Sequence, residues 1–215
     1  MKKILYSVAL AACCMGTMTS CSDFLDASNK SNVTDKQTFA TKEGFNSLVN
    51  DAYQHLQNVY AAPLFTSCFS AGTDMYADAR NKMNEPLNTY ETLTPENTDI
   101  KNLYTYLYAG IRAANSVSYY AQTAQVDDKT KGQLVGEARV LAAYEYYLLV
   151  NNFGGVPIMK DFLTTAGTGY PKSSPEDVYA YIISELEEVI SKNVLQASTA
   201  TKGGGRISQE TAKAI

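Results

Sequence analysis

Hydrophobic residues recur every three or four positions along several stretches of the chain, and this spacing predicts amphipathic helices. The first helix is predicted to start after Thr41, which can cap it, and to end at Pro63. The second is predicted to start after Pro95 and to fade near Thr123. Before them, residues 22–41 are polar and weakly periodic, which is typical of a tether rather than a folded segment.

The third and fourth helices have clear start and stop signals. Asp127 can open the third helix, and Gly154 can end it. In the fourth, Ser174 can cap, Pro175 suits the first helical position, and Asp177 can complete a capping box. Because the second and third helices are joined by a short turn, we expect them to pack antiparallel.

The remaining segments complete the prediction of an all-α fold. A fifth helix is predicted to start at Ser208, and residues 64–95 are predicted to form a short helix or strand followed by a loop. Helix pairs in series favour a stack in which each pair buries its face against its neighbours. The core stripe of the fourth helix is predicted to contain Val178, Tyr179, Ile182, Ile183, Leu186, Val189 and Ile190.

The first residues have the layout of an export signal. Two lysines precede the apolar stretch Ile4–Met15, which is shorter than the ~20 residues of a membrane-spanning helix. The tetrapeptide Met18–Cys21 resembles the lipobox of bacterial lipoproteins. Residues 1–20 are therefore predicted to be a lipoprotein signal peptide, and residues 21–40 a lipidated cysteine with a tether. An ordinary signal peptide, with Cys21 as a free thiol, is the alternative.

Composition excludes several classes of function. The chain has 18 Lys and Arg against 22 Asp and Glu, a net charge of −4, so it lacks the basic character expected of a nucleic-acid-binding protein. It has one histidine, His55, which has no cysteine or serine nucleophile in a recognisable motif. If Cys21 is acylated, Cys68 has no partner for a disulfide in the mature chain. We therefore expect no catalytic site, metal or cofactor.

Residues Gly136–Met159, GEARVLAAYEYYLLVNNFGGVPIM, are similar to a helix motif of SusD/RagB-family lipoproteins of Bacteroidetes. Other segments resemble the same family in the same order: CSDFLD at 21–26, Asn115, SPEDVYAYIISELEEVI at 174–190, and Gly205-Arg206-Ile207-Ser208. The resemblance implies tetratricopeptide-like helix pairs stacked as a superhelix. It also implies that residues 41–215 are the family's N-terminal helical domain, truncated and incomplete at the C-terminus.

The family resemblance implies a function as well as a fold. It implies an outer-membrane, surface-facing lipoprotein that binds glycans or other nutrients and works with a SusC-like TonB-dependent transporter. Asp23 and Asp26 resemble the signal that directs such lipoproteins outward. Two alternatives stay open: a structural adaptor or non-functional fragment without ligand binding of its own, and a surface hydrolase.

Tyrosine is well suited to a carbohydrate platform, because its ring gives apolar contact and its hydroxyl a hydrogen bond. Tyrosines cluster at Tyr104, Tyr106, Tyr108, Tyr119 and Tyr120, and again at Tyr144, Tyr146 and Tyr147. Their helical spacing favours packing between helices over ligand contact. No family motif assigns ligand contacts to residues of this chain, so the ligand-binding residues stay unassigned.

Two groups of acidic and amide side chains are candidates for a calcium site or for catalytic carboxylates. They are Asp74 with Asp78 and Asn84, and Asp177 with Glu185, Glu187 and Glu188. The spacing of the first group does not match a calcium loop, so a solvated loop is predicted. The second group lies beside the core stripe of a helix, so a solvated face is predicted rather than a pair of catalytic carboxylates.

Overall fold

The computed structural model describes residues 35–76, 85–165, 167–198 and 205–215, and within these ranges the regular structure is helical, without a strand. The predicted all-α class is confirmed. The helices are α1 (Asp35–Ala40), α2 (Lys42–Tyr60), a π-helix (Thr66–Ser70), α3 (Glu85–Thr89), α4 (Thr98–Tyr120), α5 (Asp128–Phe153), α6 (Pro175–Lys192) and α7 (Gln209–Ala214). The predicted signal peptide and Cys21 lie outside the described residues.

Local capping accounts for where the helices begin. Thr41, Asp127, Ser174 and Ser208 each accept the backbone N–H three residues further on, at 2.9–3.1 Å, as predicted. At α4 the cap is Asn97, which accepts from two backbone N–H groups. In residues 64–95 the described regular structure is the π-helix and α3, so helix rather than strand forms there.

The long helices pack antiparallel in sequence order, in the tetratricopeptide-like manner expected: α2 on α4, α4 on α5, and α5 on α6. The α5–α6 contacts show this direction, because Arg139 meets Glu185 while Tyr146, further along α5, meets the earlier Tyr181. The helix ends therefore fall into two groups. We call the end with the connections 61–97 and 154–174 the loop end, and the opposite end, with the connections 121–127 and 193–208, the turn end.

The apolar core between these helices consists of two clusters of buried residues. Near the turn end, the core includes Phe45, Val49, Ala52, Val117, Ala138 and Leu141. Towards the loop end, it includes Leu103, Leu107, Ile111, Tyr146, Leu149, Val178, Ile182 and Leu186. Because α5 contributes to both clusters, the family-like motif lies at the centre of the fold.

The start of the folded domain differs from the prediction. Residues 35–40, assigned to the tether, form α1, and the ring of Phe39 packs against Tyr120 at 4.8 Å between centroids. The carbonyl of Ala40 accepts a hydrogen bond from the backbone of Gln125 at 2.7 Å. A side chain at Gly44 would place Cβ 1.9 Å from a carbonyl of α1, so glycine permits this close approach. The folded domain thus includes residues from Asp35.

The predicted stripe of α6 is too wide. Val178 and Ile182 are buried against α5, as are the later stripe residues Leu186 and Val189. Tyr179 and Ile183 are instead 38% and 54% exposed. Each lies about 100° around the helix from its buried neighbour, and α5 covers only one side of α6.

Candidate functional site

Glu137 of the Gly136–Met159 motif is completely buried, and its carboxylate is fully engaged. Arg206 forms an ion pair with it, with 2.6 Å between Nε and Oε2. The hydroxyl of Tyr53 donates to the same oxygen at 2.8 Å, and the amide of Gln133 donates to Oε1 at 3.0 Å. Two motifs about seventy residues apart in sequence therefore meet in one buried ion pair.

Arg206 also attaches the chain before α7 to α2. Its Nη1 donates to Oδ1 of Asn50 at 2.9 Å, and its guanidinium lies over the ring of Tyr53 at 5.2 Å. The hydroxyl of Tyr53 accepts from the backbone of Ile207 at 2.8 Å, and burial raises the pKa of that hydroxyl above its ordinary value. These contacts give the Gly205-Arg206-Ile207-Ser208 motif a scaffold role.

Arg139 joins α5 to α6 through carboxylates that sequence reasoning placed on a solvated face. Its Nε donates to Glu185 at 2.7 Å, and its Nη2 donates to Glu188 at 2.5 Å. Hydrogen bonds from Arg139 and Lys192 lower the pKa of Glu188 to about 2. Glu188 is exposed, in line with the solvated-face prediction, while Glu185 is half-buried. The arginine that both carboxylates bind comes from another helix, and no pattern within α6 shows it.

Asn115 and two tyrosines hold the connection between α5 and α6 at the loop end. The amide of Asn115 donates to the carbonyl of Met159 at 2.8 Å, and the hydroxyl of Tyr108 donates to the carbonyl of Pro157 at 2.7 Å. The hydroxyl of Tyr146 accepts from the backbone N–H of Met159 at 2.6 Å. Family-like residues thus fix the path of an irregular segment.

The clustered tyrosines, predicted to pack between helices, differ in how far they are buried. Tyr146 is completely buried and Tyr120 nearly so. Tyr106, Tyr108, Tyr119 and Tyr144 are half-buried. Tyr104 and Tyr147 are 36% and 40% exposed, so they present part of their rings to solvent.

Exposed and half-buried aromatic rings gather at the loop end. Five side chains form what we call the aromatic surface: Tyr60, Phe65, Phe69, Tyr144 and Tyr147. Phe65 stacks on Tyr60 and on Phe69, with 5.4 Å between centroids in each pair, and the two tyrosines of α5 stack at 6.1 Å. The hydroxyls of Tyr60 and Tyr144 form a short hydrogen bond that joins the two stacks.

Sequence reasoning missed this aromatic surface. Phe65 and Phe69 lie in the segment predicted to form a short helix or strand followed by a loop, and that segment contains the π-helix. Their spacing of four residues is the signal that could have identified them, because residues four apart share a face of a helix. Tyr60 and Phe65 expose 42% and 36% of their surface, so the rings offer an apolar and partly hydroxylated face to a ligand.

The other candidates do not form a catalytic or metal site in the described part of the chain. Asp74 is exposed in a turn, and Asp78 and Asn84 lie outside the described residues. No group of three or more His, Cys, Asp or Glu among the described residues could hold a metal ion. His55 has its Nε2 3.8 Å from a carboxylate oxygen of Asp51. Cys68 is half-buried, and burial raises the pKa of its thiol to about 11.

Among the described residues, no helix is both long enough and apolar enough to cross a membrane.

Comparison with known proteins gives a consistent result. Residues 23–212 match the model of a SusD-like family described as "Starch-binding associating with outer membrane". The SusD-like protein P38 of Formosa agariphila is 27% identical over 190 residues, which are 86% of this chain and 36% of that protein.

Solved structures show the same fold. Surface glycan-binding protein A from Bacteroides uniformis is 25% identical with a TM-score of 0.66, covering 79% of this chain and 39% of that one. A laminarin-binding SusD-like protein is 22% identical with a TM-score of 0.70, covering 81% of this chain and 38% of that one. The chain thus spans about two fifths of the length of these relatives. Because the family model covers most of the chain, the protein belongs to the SusD-like family of starch-binding, outer-membrane-associated proteins.

Proposed function

We propose that this protein is a lipid-anchored, surface-facing glycan-binding protein that delivers its ligand to a SusC-like TonB-dependent transporter. The observation that carries the proposal is the match of residues 23–212 to a starch-binding, outer-membrane-associated family. The solved relative from Bacteroides uniformis is named a surface glycan-binding protein, which supports a glycan as the ligand class. In this proposal the protein binds and presents its ligand without converting it, and it needs no metal or cofactor.

The aromatic surface is the proposed contact with the glycan. Its rings come from α2, the π-helix segment and α5, so a rigid scaffold holds them, and rigid aromatic contacts cost little conformational entropy on binding. Its hydroxyls can pair with sugar hydroxyls while the ring faces cover the apolar face of a pyranose.

Affinity electrophoresis in gels containing laminarin or starch tests the glycan contact. The polysaccharide is expected to retard the chain. The double variant Phe65→Ala with Tyr147→Ala is expected to be retarded less than the parent chain. Tyr170→Ala is the matched control, because Tyr170 is 41% exposed but outside the aromatic surface. Equal mobility with and without each polysaccharide would contradict glycan binding by this chain and would favour the adaptor alternative.

Lipidation of Cys21 is the proposed attachment to the outer membrane. Cys21→Ser is expected to move the protein from the membrane fraction to the soluble fraction, since a diacylglycerol anchor contributes about 0.8 kcal/mol per buried methylene. Cys68→Ser is the matched control, because that thiol lies in the folded domain. Intact mass of the membrane form shows directly whether Cys21 carries acyl chains.

Partnership with a transporter is tested separately. A TonB-dependent transporter is expected to co-purify with the protein from detergent-solubilised outer membranes. If the transporter co-purifies while no polysaccharide retards the protein, the adaptor alternative replaces glycan delivery.

A further inference from the structure

A polar cavity of about 250 Å³ lies over α5 between α4 and α6, separate from the aromatic surface. Its floor consists of small side chains, Ala114, Ala138 and Ala142, which leave the space open. The volume is below the ~300–1,000 Å³ of pockets for drug-sized ligands, so it fits a ligand of about one sugar ring.

The charges that line the cavity leave one cation without an acidic partner. Arg139 is neutralised by Glu185 and Glu188, and Lys192 shares Glu188. Lys160 is exposed at the rim, 5.6 Å from the ring centre of Tyr181, and forms no ion pair with a described residue. Asp161 follows it in sequence and lines a neighbouring cavity, and its charge also acts on the hydroxyl of Tyr181. Of the charged residues that line the cavity, Lys160 is the one without an ion pair to a described residue.

The same wall carries groups that pair with ligand hydroxyls. Ser118 of α4 and Ser184 of α6 are exposed and line the cavity. Asn115 donates through Nδ2 to Met159 and has its carbonyl oxygen as an acceptor, and Glu185 brings a carboxylate. The acceptor oxygens of Asn115 and Glu185 suit a ligand with hydroxyl donors, and the ammonium group of Lys160 suits a ligand with a negatively charged oxygen.

We infer that this cavity binds a single acidic sugar unit of the uronic acid class, with its carboxylate at Lys160 and its hydroxyls at Ser118, Asn115 and Glu185. The inference rests on the proposed function in that the ligand is a sugar, but it uses a different surface. It adds selectivity for a charged sugar to the glycan contact proposed at the aromatic surface.

The test measures binding of sodium D-glucuronate, D-glucose, sodium acetate and sodium sulfate to the 215-residue chain at constant ionic strength, by NMR titration. Glucuronate is expected to bind roughly tenfold more tightly than glucose or acetate, because only it offers both an oxyanion and ring hydroxyls. Equal affinity for sulfate and glucuronate would show a general anion site and overturn the inference.

Two variants tie that preference to the cavity. Lys160→Gln is expected to abolish the preference for glucuronate over glucose, and Ser118→Leu is expected to weaken both sugars by filling the rim. Lys101→Gln, an exposed lysine elsewhere on α4, is the matched control and is expected to change nothing. An unchanged preference in Lys160→Gln would overturn the inference.

The outcome is distinguishable from failure of the proposed function. Retardation by polysaccharide without any preference for glucuronate would defeat the cavity assignment and leave glycan capture standing. Glucuronate binding that depends on Lys160, without retardation by any polysaccharide, would support the cavity and defeat the proposed platform.

Discussion

Two glutamates on α5, eight positions apart, are both completely buried but have opposite surroundings. Glu137 has an arginine, a tyrosine and a glutamine on its carboxylate oxygens. Neither carboxylate oxygen of Glu145 has a hydrogen-bond partner among the described residues. Glutamate therefore forms a buried ion pair at position 137 and is buried without a described partner at position 145.

The glycine on the facing helix explains how Glu145 is accommodated. A Cβ at Gly110 of α4 would lie 1.8 Å from Oε1 of Glu145, so the carboxyl group occupies the space that a side chain would take. Without a partner, burial raises the pKa of Glu145 well above its ordinary value, because the charged form loses its hydration. Because the two glutamates are equally buried, they differ in the presence of a cationic partner and not in burial.

The largest effect is expected where the paired glutamate loses its cation. Arg206→Ala leaves the carboxylate of Glu137 buried without its counterion, which costs about 3–5 kcal/mol when a buried pair is broken in this way. The free energy of unfolding from urea titration measures the loss. Arg206→Ala combined with Glu137→Gln is expected to recover part of it, because an amide carries no charge into the core. If the double variant is no more stable than Arg206→Ala, the ion pair is not the cause.

At the unpaired Glu145 we expect the opposite effect: removing its charge is expected to raise the free energy of unfolding at neutral pH. Because the pKa of Glu145 is raised in the folded state, the folded chain holds a proton that the unfolded chain releases above about pH 4.3. Stability from this group is therefore complete below that pH and falls by up to about 1.4 kcal/mol per pH unit until the folded-state pKa is reached.

Glu145→Gln tests this pH dependence of stability. The variant is expected to be more stable than the parent at pH 7, with a smaller difference at pH 4, as measured by urea titration at both values. Glu187→Gln, at an exposed position of α6, is the matched control and is expected to show neither change. A loss of stability at pH 7 in Glu145→Gln would mean that the charged form has a compensating partner.

Sequence reasoning predicted the elements whose causes are local. The starts of α2, α5, α6 and α7 depend on a cap that bonds three residues further on, and such a cap is visible in the sequence. It missed α1, a six-residue helix with no buried residue of its own that is held by contacts with α2 and α4. A short helix of this kind depends on tertiary packing rather than on its own propensity.

The candidate sites were less predictable, because they combine elements that are far apart in the chain. Family motifs contain Glu137 and Arg206, yet nothing local shows that the two form an ion pair. Lys160 faces its cavity only because Asn115 and two tyrosines fix the connection on which it lies. Glu145 sits among the apolar residues of a helix pattern, and a glycine on another helix decides how it fits.

Gly110→Ala tests how Glu145 fits against α4 and is expected to change the free energy of unfolding by a smaller amount. The new methyl group must displace the carboxyl group of Glu145, and overpacking costs about 1–3 kcal/mol. Alanine regains about 1 kcal/mol of helix propensity over glycine, so a net loss near 1 kcal/mol is expected in urea titration. In a Glu145→Ala background the clash disappears, and Gly110→Ala is expected to become neutral or stabilising. A net loss of the same size in both backgrounds would place the clash elsewhere.

The smallest effect is expected at the half-exposed ion pair between α5 and α6. The lowered pKa of Glu188 means that its contribution is present above about pH 4.3 and is lost as the pH falls towards 2. Its side chain is 44% exposed, so solvent screening limits the contribution to below about 1 kcal/mol. Glu188→Gln is therefore expected to lower stability slightly at pH 7 and in 50 mM salt, and the difference is expected to vanish in 1 M salt. A salt-independent loss would show that Glu188 acts through packing and not through an exposed charge.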